Sequence, residues 1–268
     1  MKRPLELLIS IVHYNTPGIL SRCLDALGAE GSGLNMHIVV VDNASHPPLD
    51  GAEISARPNV TLIRNTVNAG FGTANNQALR AWDAEAYLVL NPDVIVAPGT
   101  LGELLRRLRQ SAEVGLIGPR LRFTDGGLQR SCRRLPTLRA VLIRGFLSQE
   151  SASRFTAIRK YLMEDEVINA PTRVDWMLGS SLLIKRDALR RVGGFDERFF
   201  MYYEDVDLCH RINLAGWGVE YHPDVEWIHE YLRQSARPGQ WKLRFAHFTS
   251  AMRFLLKHRS RRGWCATL

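Results

Sequence analysis

The sequence predicts an α/β fold: a Rossmann-like, mostly parallel sheet flanked by helices, followed by a C-terminal amphipathic helix. Three observations predict it. Short aliphatic and β-branched runs alternate with stretches of helical periodicity through residues 7–118, which is the pattern of βαβ units. These runs end in polar residues, and right-handed crossovers bring such ends to one sheet edge, where open α/β sheets bind ligands. The composition, 46% hydrophobic and 23% charged over 268 residues, supplies a sizeable core, as in ordinary soluble proteins.

The elements follow in order. Residues 7–13 form a buried strand, and Tyr14, Asn15, Thr16, Pro17 and Gly18 turn the chain. Ile19, Leu20, Cys23, Leu24 and Leu27 recur at helical spacing. HIVVVDNAS is a second buried strand that ends in Asp42, Asn43 and Ser45. Residues 60–64 are a third. Asn68 to Asn76, NAGFGTANN, reads as a glycine-rich turn that opens a helix over 77–82. Residues 87–90 form a strand leading to Asn91, Pro92 and Asp93, a helix covers 99–110, and a strand covers 114–118. Residues 120–139 are basic and turn-rich, and 141–168 read as a helix or a flap. Residues 175–185 are a strand; two short strands, 218–222 and 225–229, flank Pro223. An amphipathic helix spans 241–258, and a basic tail with Arg259, Arg261, Arg262 and Trp264 frays beyond it. There is no internal repeat or linker. One continuous domain is expected, with a nucleotide-binding half to about 118, an acceptor and catalytic half to about 240, and the helix and tail after it.

Composition excludes several classes. The four cysteines are scattered without a CxxC pair, which argues against a zinc site or disulfide framework and suits a reducing cytoplasm. The N-terminal apolar run is too short for a signal segment and fits a strand. No apolar stretch reaches the roughly 18 residues of a membrane span. A net charge of +8 points to an anionic partner: nucleotide, nucleic acid or acidic lipid.

The densest chemical signal is GGFDERFFMYYEDVDLCHRINLAG, from Gly193 to Gly216. Phe199, Phe200, Tyr202 and Tyr203 lead into Glu204, Asp205 and Asp207, and helical spacing follows. Acids at a helix start can simply cap it. Capping needs one acid, however, so two adjacent acids behind four aromatics fit better a carboxylate at the edge of a dry pocket, acting as a general base. Elsewhere the local readings are balanced. Asp42 could meet a ribose or base edge, or close an Asx turn. The 68–76 turn could let a ligand approach the backbone and offer amides to phosphate, or be only a turn. Asp93, directed by Pro92 and preceded by Asn91, suits an oxygen-ligated divalent ion that also holds a diphosphate. His229 can ligate metal through neutral imidazole, although a lone histidine is more often structural.

The motifs SIVHYN, VVVDNAS, NAGFGTANN, YLVLNPDV, GSSLLIKRDAL, GGFDERFFMYYEDVDLCHR and IH-x5-S, in this order, resemble family 2 glycosyltransferases, inverting sugar-nucleotide enzymes with a GT-A fold. The resemblance covers residues 7–235 and is nearest the bacterial rhamnosyltransferase branch. It implies a hexosyl transfer, with L-rhamnose moved from dTDP-L-rhamnose to a glycan or polyprenyl-diphosphate-linked acceptor in surface polysaccharide or cell-wall synthesis. A UDP- or GDP-sugar is the alternative donor. By position it implies Asp205 as general base with Glu204 supporting it, and Asp93 and His229 as ligands of Mg²⁺ or Mn²⁺. Tyr14, Asn15, Asp42, Asn68, Gly70, Asn75 and Asn91 would face the donor. Asn91 stands where the family usually has the first acid of its DXD, leaving Asp93 as the firm carboxylate ligand. A cytoplasmic enzyme at the inner membrane face is implied; the C-terminal segment, mixing Phe and Leu with Lys and Arg, either makes peripheral contact with an anionic surface or packs on the core with a solvated basic tail. A nucleotidyltransferase would need a glycine- and basic-rich first loop, and SIVHYNTP has none. The basic stretches lack the aromatic interleaving of RNA modules, so nucleic acid is not expected as a partner.

Overall fold

A computed structural model describes residues 5–30, 33–147, 149–230 and 241–259. The chain runs β1 (Leu7–His13), α1 (Pro17–Gly28), β2 (Met36–Asp42), α2 (Gly51–Ser55), β3 (Val60–Arg64), α3 (Phe71–Ala81), β4 (Ala86–Leu90), β5 (Val94–Ile95) and α4 (Thr100–Gln110). Next come β6 (Val114–Arg122), β7 (Leu128–Gln129), β8 (Cys132–Arg133), α5 (Leu138–Phe146), α6 (Gln149–Ser153), α7 (Thr156–Leu162) and β9 (Thr172–Arg173). The last elements are β10 (Trp176–Met177), β11 (Ser181–Lys185), α8 (Arg186–Val192), α9 (Glu204–Leu214), β12 (Gly218–His229) and α10 (Trp241–His258).

The main sheet has the order β3-β2-β1-β4-β11-β6-β12-β5. The β3-β2-β1-β4 half is parallel throughout, and β6 and β12 are also parallel. β11 is inserted antiparallel between β4 and β6. Strands buried on both faces read as continuous aliphatic runs, and alternation sends their side chains to two cores. Leu8, Val39, Val41 and Val89 pack with Ala74 and Ala78 of α3 and with Leu208 and Ile212 of α9. Leu7, Ile9, Val40 and Leu88 pack with Leu20 and Leu24 of α1 and with Leu101, Leu104 and Leu108 of α4.

Several boundaries differ from the sequence reading. The glycine-rich turn is short, because α3 starts at Phe71 rather than near 77. Its first turns hold poor helix formers, and long-range bonds compensate: Asn75 accepts from Ser10 Oγ at 2.7 Å, and Asn76 donates to the Phe195 carbonyl at 2.9 Å. The segment read as one strand over 175–185 is two, β10 pairing with β8 and β11 joining the main sheet. The two strands around Pro223 are one, β12, with a register shift between His222 and Glu226; proline cannot donate to the ladder, so the pairing slips there. The 141–168 region holds three short helices. The five-residue α2, capped by Asp50, and the seven-residue α8 are too short to show a period.

α10 occupies the predicted residues and packs on the core, with Ala251 and Phe254 fully buried. Phe245 and Leu256 stay exposed. Ser235, Arg261, Arg262 and Trp264 lie outside the described residues.

Candidate active site

The carboxyl ends of β1 and β2 form one rim. Asn15, at φ 58°, donates its amide to Ser45 Oγ at 3.0 Å, and its Oδ1 accepts from the His46 amide at 2.7 Å. Tyr14 is exposed beside it. Asp42 is buried and accepts from the amides of Ser45 at 3.1 Å and Leu49 at 3.0 Å. Burial would raise its pKa, but hydrogen bonds from Ser45 and Leu49 and the nearby His13 outweigh it and hold the carboxyl below the usual range. Asp42 thus closes the loop after β2 on its own side chain, through amides three and seven residues on rather than the two of an Asx turn. Asn43 links the loops: its Oδ1 accepts from Asn65 Nδ2 and the Ala69 amide, and its Nδ2 donates to Asn68 Oδ1, which also accepts from the Gly70 amide.

Two residues of the donor-facing set are placed elsewhere. Asn75 is fully buried, with its amide engaged by Ser10 and by the Phe71 carbonyl at 3.0 Å, so no ligand can reach it. Gly70, at φ 84°, does permit a close approach, but by the protein itself: a Cβ there would lie 2.4 Å from the Phe200 carbonyl oxygen. That carbonyl accepts from the Phe71 amide at 3.2 Å, occupying a helix-start donor read as available to phosphate.

The same contact fixes the loop before α9. Tyr202 and Tyr203 both lie in the left-handed region, at φ 66° and 68°, where non-glycine residues are strained and persist only under strong tertiary constraint. Asn76 supplies more constraint by binding both the amide and the carbonyl of Phe195. α9 then opens on Glu204 and Asp205. Asp205 Oδ2 accepts from the Gly179 amide at 2.9 Å, and Oδ1 from the Val206 amide at 2.8 Å. A Cβ at Gly179 would sit 3.3 Å from Asp205 Cβ and from Phe71, so a larger residue in the β10–β11 turn would crowd the carboxylate and push its neighbours by a few tenths of an ångström. Burial raises the Asp205 carboxyl, and the two amides oppose it. Burial and then the charge of Asp205 push Glu204 well above its ordinary value. Glu204 Oε2 is buried with no hydrogen-bond partner among the described residues. The two amides favour the charged form of Asp205, and no such bond offsets the burial of Glu204 Oε2, so Glu204 holds its proton the more strongly of the two.

Asp207, one turn on, is fully buried and meets Arg211 at 2.7 Å, Lys257 at 2.6 Å and His258 at 2.8 Å. It ties α9 to α10 and goes beyond capping.

At the β5 end, His229 Nε2 lies 3.1 Å from Asp93 Oδ1, and its Nδ1 lies 2.7 Å from Gln129 Oε1. Gln129 Oε1 beside Nδ1 favours the tautomer protonated there, and in that tautomer Nε2 and the Asp93 carboxylate are two acceptors that could share a cation. Among the described residues no group of three or more His, Cys, Asp or Glu is placed to hold a metal. A cation at this pair would take its remaining ligands from waters and a diphosphate, as Mg²⁺ usually does.

His229, Gln129, Asn91, Glu204 and Asp205 all line one cleft of about 780 Å³. Arg130, Arg133 and Arg144 line it too. Gln129, Asn76 and Asn43 were missed by the sequence reading. Asn43 stood beside Asp42 in the same motif; Gln129, in a two-residue strand, gave no local signal.

The family model for glycosyl transferase family 2 matches residues 8–172. Over 244 residues the chain is 34% identical to N-acetylglucosaminyl-diphospho-decaprenol L-rhamnosyltransferase of Mycobacterium tuberculosis, covering 85% of this chain and 76% of that protein. It is 33% identical over 199 residues to rhamnosyltransferase WbbL of Escherichia coli, covering 71% of each. Among solved structures, a mannosyltransferase from Pyrobaculum calidifontis with GDP-Man and Mn²⁺ superposes with a TM-score of 0.59 at 20% identity, over 96% of this chain and 65% of that one. GalNAc-T7 with UDP, GalNAc and Mn²⁺ gives 0.68 at 14% identity, over 96% of this chain and 48% of that one. These similarities identify the fold as GT-A.

Proposed function

The chain belongs to glycosyl transferase family 2, and from this we propose that it moves L-rhamnose from dTDP-L-rhamnose to a polyprenyl-diphosphate-linked or glycan acceptor, with inversion. The observation that carries the reading is the cleft lined by both the amide-held Asp205 and His229, which sits 3.1 Å from Asp93. The rhamnosyltransferase names of the two relatives support the donor, and the diphospho-decaprenol in one of them supports the acceptor. Such a lipid would place the enzyme at the inner membrane face. Among the described residues no helix is long and apolar enough to cross a membrane.

Asp205 takes the proton from the acceptor hydroxyl as that oxygen attacks the anomeric carbon. The bond to the nucleoside diphosphate breaks on the opposite face, so one displacement inverts the carbon. Glu204, neutral, keeps a second charge away from Asp205. Asn15, Tyr14 and Asn68 form the rim against which the nucleoside lies, Asp42 holds the loop behind it through the Ser45 and Leu49 amides, and Asn91 lies nearer the diphosphate. Asp93 and His229 would hold Mg²⁺ or Mn²⁺, which when bound supplies charge to stabilise the leaving diphosphate. Asp205→Asn keeps size and loses proton acceptance. It should lower transfer by roughly 10²–10⁴-fold with dTDP affinity unchanged in a binding assay. Near-normal turnover in that variant would remove Asp205 as the base. A thermal-shift panel of dTDP, UDP and GDP distinguishes the donors.

A further inference from the structure

One wall of the cleft carries arginines that the Asp93–His229 pair does not engage; the charge of Arg133 reaches Asp205 and favours its ionised form. Arg133, on β8, sets its guanidinium 5.2 Å from the Trp176 ring centre and 5.6 Å from that of Tyr161. Its Nε is buried with no hydrogen-bond partner among the described residues. Arg144, on α5, stands 5.3 Å from the same Tyr161 ring and donates to its hydroxyl at 3.1 Å. Neither forms an ion pair with a carboxylate among the described residues, whereas Arg120 and Arg122 of β6 are both paired with Glu226. Aromatic stacking holds a guanidinium in place while leaving its N–H fork open, and that fork matches phosphate oxygens. Glu164 is the acid of the lining outside the Glu204–Asp205 pair.

Position selects the anion. The donor diphosphate belongs beside Asp93, in the turn before β5, and His229, at the end of β12. Arg133 and Arg144 stand on the wall built by β8, α5 and α7. The transferred carbon must sit between Asp205 and the leaving diphosphate, so an anion held on the Asp205 side of that carbon belongs to the acceptor. We propose that Arg133 and Arg144 form an acceptor subsite that grips the diphosphate of a polyprenyl-diphosphate-linked sugar while its hydroxyl faces Asp205. This rests on the glycosyl-transfer reading above.

The test uses the full chain with dTDP present and two acceptor probes: farnesyl-diphosphate-linked N-acetylglucosamine and neutral octyl N-acetylglucosaminide. Equilibrium binding is measured for wild type, Arg133→Gln and Arg144→Gln, with melting temperatures alongside. Each substitution should weaken the diphosphate probe by roughly 10- to 100-fold, the range for hydrogen bonds to charged groups. Binding of the neutral glycoside and of dTDP should not change. If Arg133→Gln melts early because its stacking is lost, Arg144→Gln decides. Variants that bind the diphosphate probe like wild type, or weaken both probes equally, or lose dTDP instead, overturn the subsite alone. Wild type that binds dTDP but neither acceptor probe overturns the acceptor reading, and the subsite falls with it.

Discussion

Glu204 and Asp205 are adjacent in the chain but differently surrounded. Two amides point at Asp205, whereas Glu204 Oε2 has no partner among the described residues. A carboxyl raised in the folded state contributes stability that is full below its unfolded value, near 4.5 for Glu204, and lost as pH rises through the folded value. Glu204→Gln removes that loss. The melting temperature of this variant relative to wild type should therefore climb between pH 4 and pH 8, and a constant difference would refute the buried charge penalty. Because burial also raises Asp205 above its ordinary 3.8, the acid limb of the transfer pH profile should lie above that value. Gln129 offers a separate residue-scale test. It lies 2.7 Å from His229 Nδ1 and orients the ring, and removing such an outer partner typically costs about 10- to 100-fold in metal affinity. Gln129→Ala should show that loss in a Mn²⁺ titration with dTDP, with dTDP affinity alone preserved.

α9 and α10 form one unit. Asp207 is buried under Arg211, Lys257 and His258, and Ser250 of α10 donates to the Met201 carbonyl in the strained loop at 2.9 Å. Burial would raise Asp207, but the hydrogen bond from His258 and the charges of Arg211 and Lys257 hold it below its ordinary 3.8. A depressed carboxyl contributes stability present above its unfolded value and lost as pH falls through the folded one, so this contribution is complete at neutral pH. Asp207→Asn leaves the half-buried Arg211 without its carboxylate and Lys257 with Asp196 alone. Breaking such a group typically costs about 3–5 kcal/mol. Urea denaturation at pH 7 should show a lower midpoint at unchanged slope. A midpoint equal to that of wild type would mean that α10 is held by its apolar face alone.

For the whole molecule, the cleft couples ligand to fold. A ligand that binds only the folded state stabilises it by roughly 2.7 kcal/mol at a hundredfold excess over its dissociation constant. dTDP with Mn²⁺ should raise the melting temperature, and Asp93→Ala or a chelator should remove most of the Mn²⁺-dependent part. Stabilisation indifferent to both would remove the cation from Asp93 and His229. The exposed Phe245 and Leu256 of α10 lie on a helix whose other face is buried, so any membrane contact uses residues left over from packing.

Local pattern determined much of this protein. The aliphatic runs located β1 to β4, because a strand buried on both faces has to be apolar along its length. The ordered motifs indicated the fold and family, and the acids behind four aromatics marked the start of α9. Tertiary structure decided which polar residues remain available. NAGFGTANN reads alike whether Asn75 faces a ligand or Ser10, and whether Gly70 admits a phosphate or the Phe200 carbonyl. Gln129 and His229 are 100 residues apart in the chain, and Asp207 meets His258 across 51. Periodicity records which face of a strand or helix is apolar. It does not record which distant strand or helix will lie against that face, because the register between them is set only when the whole sheet and its two cores pack.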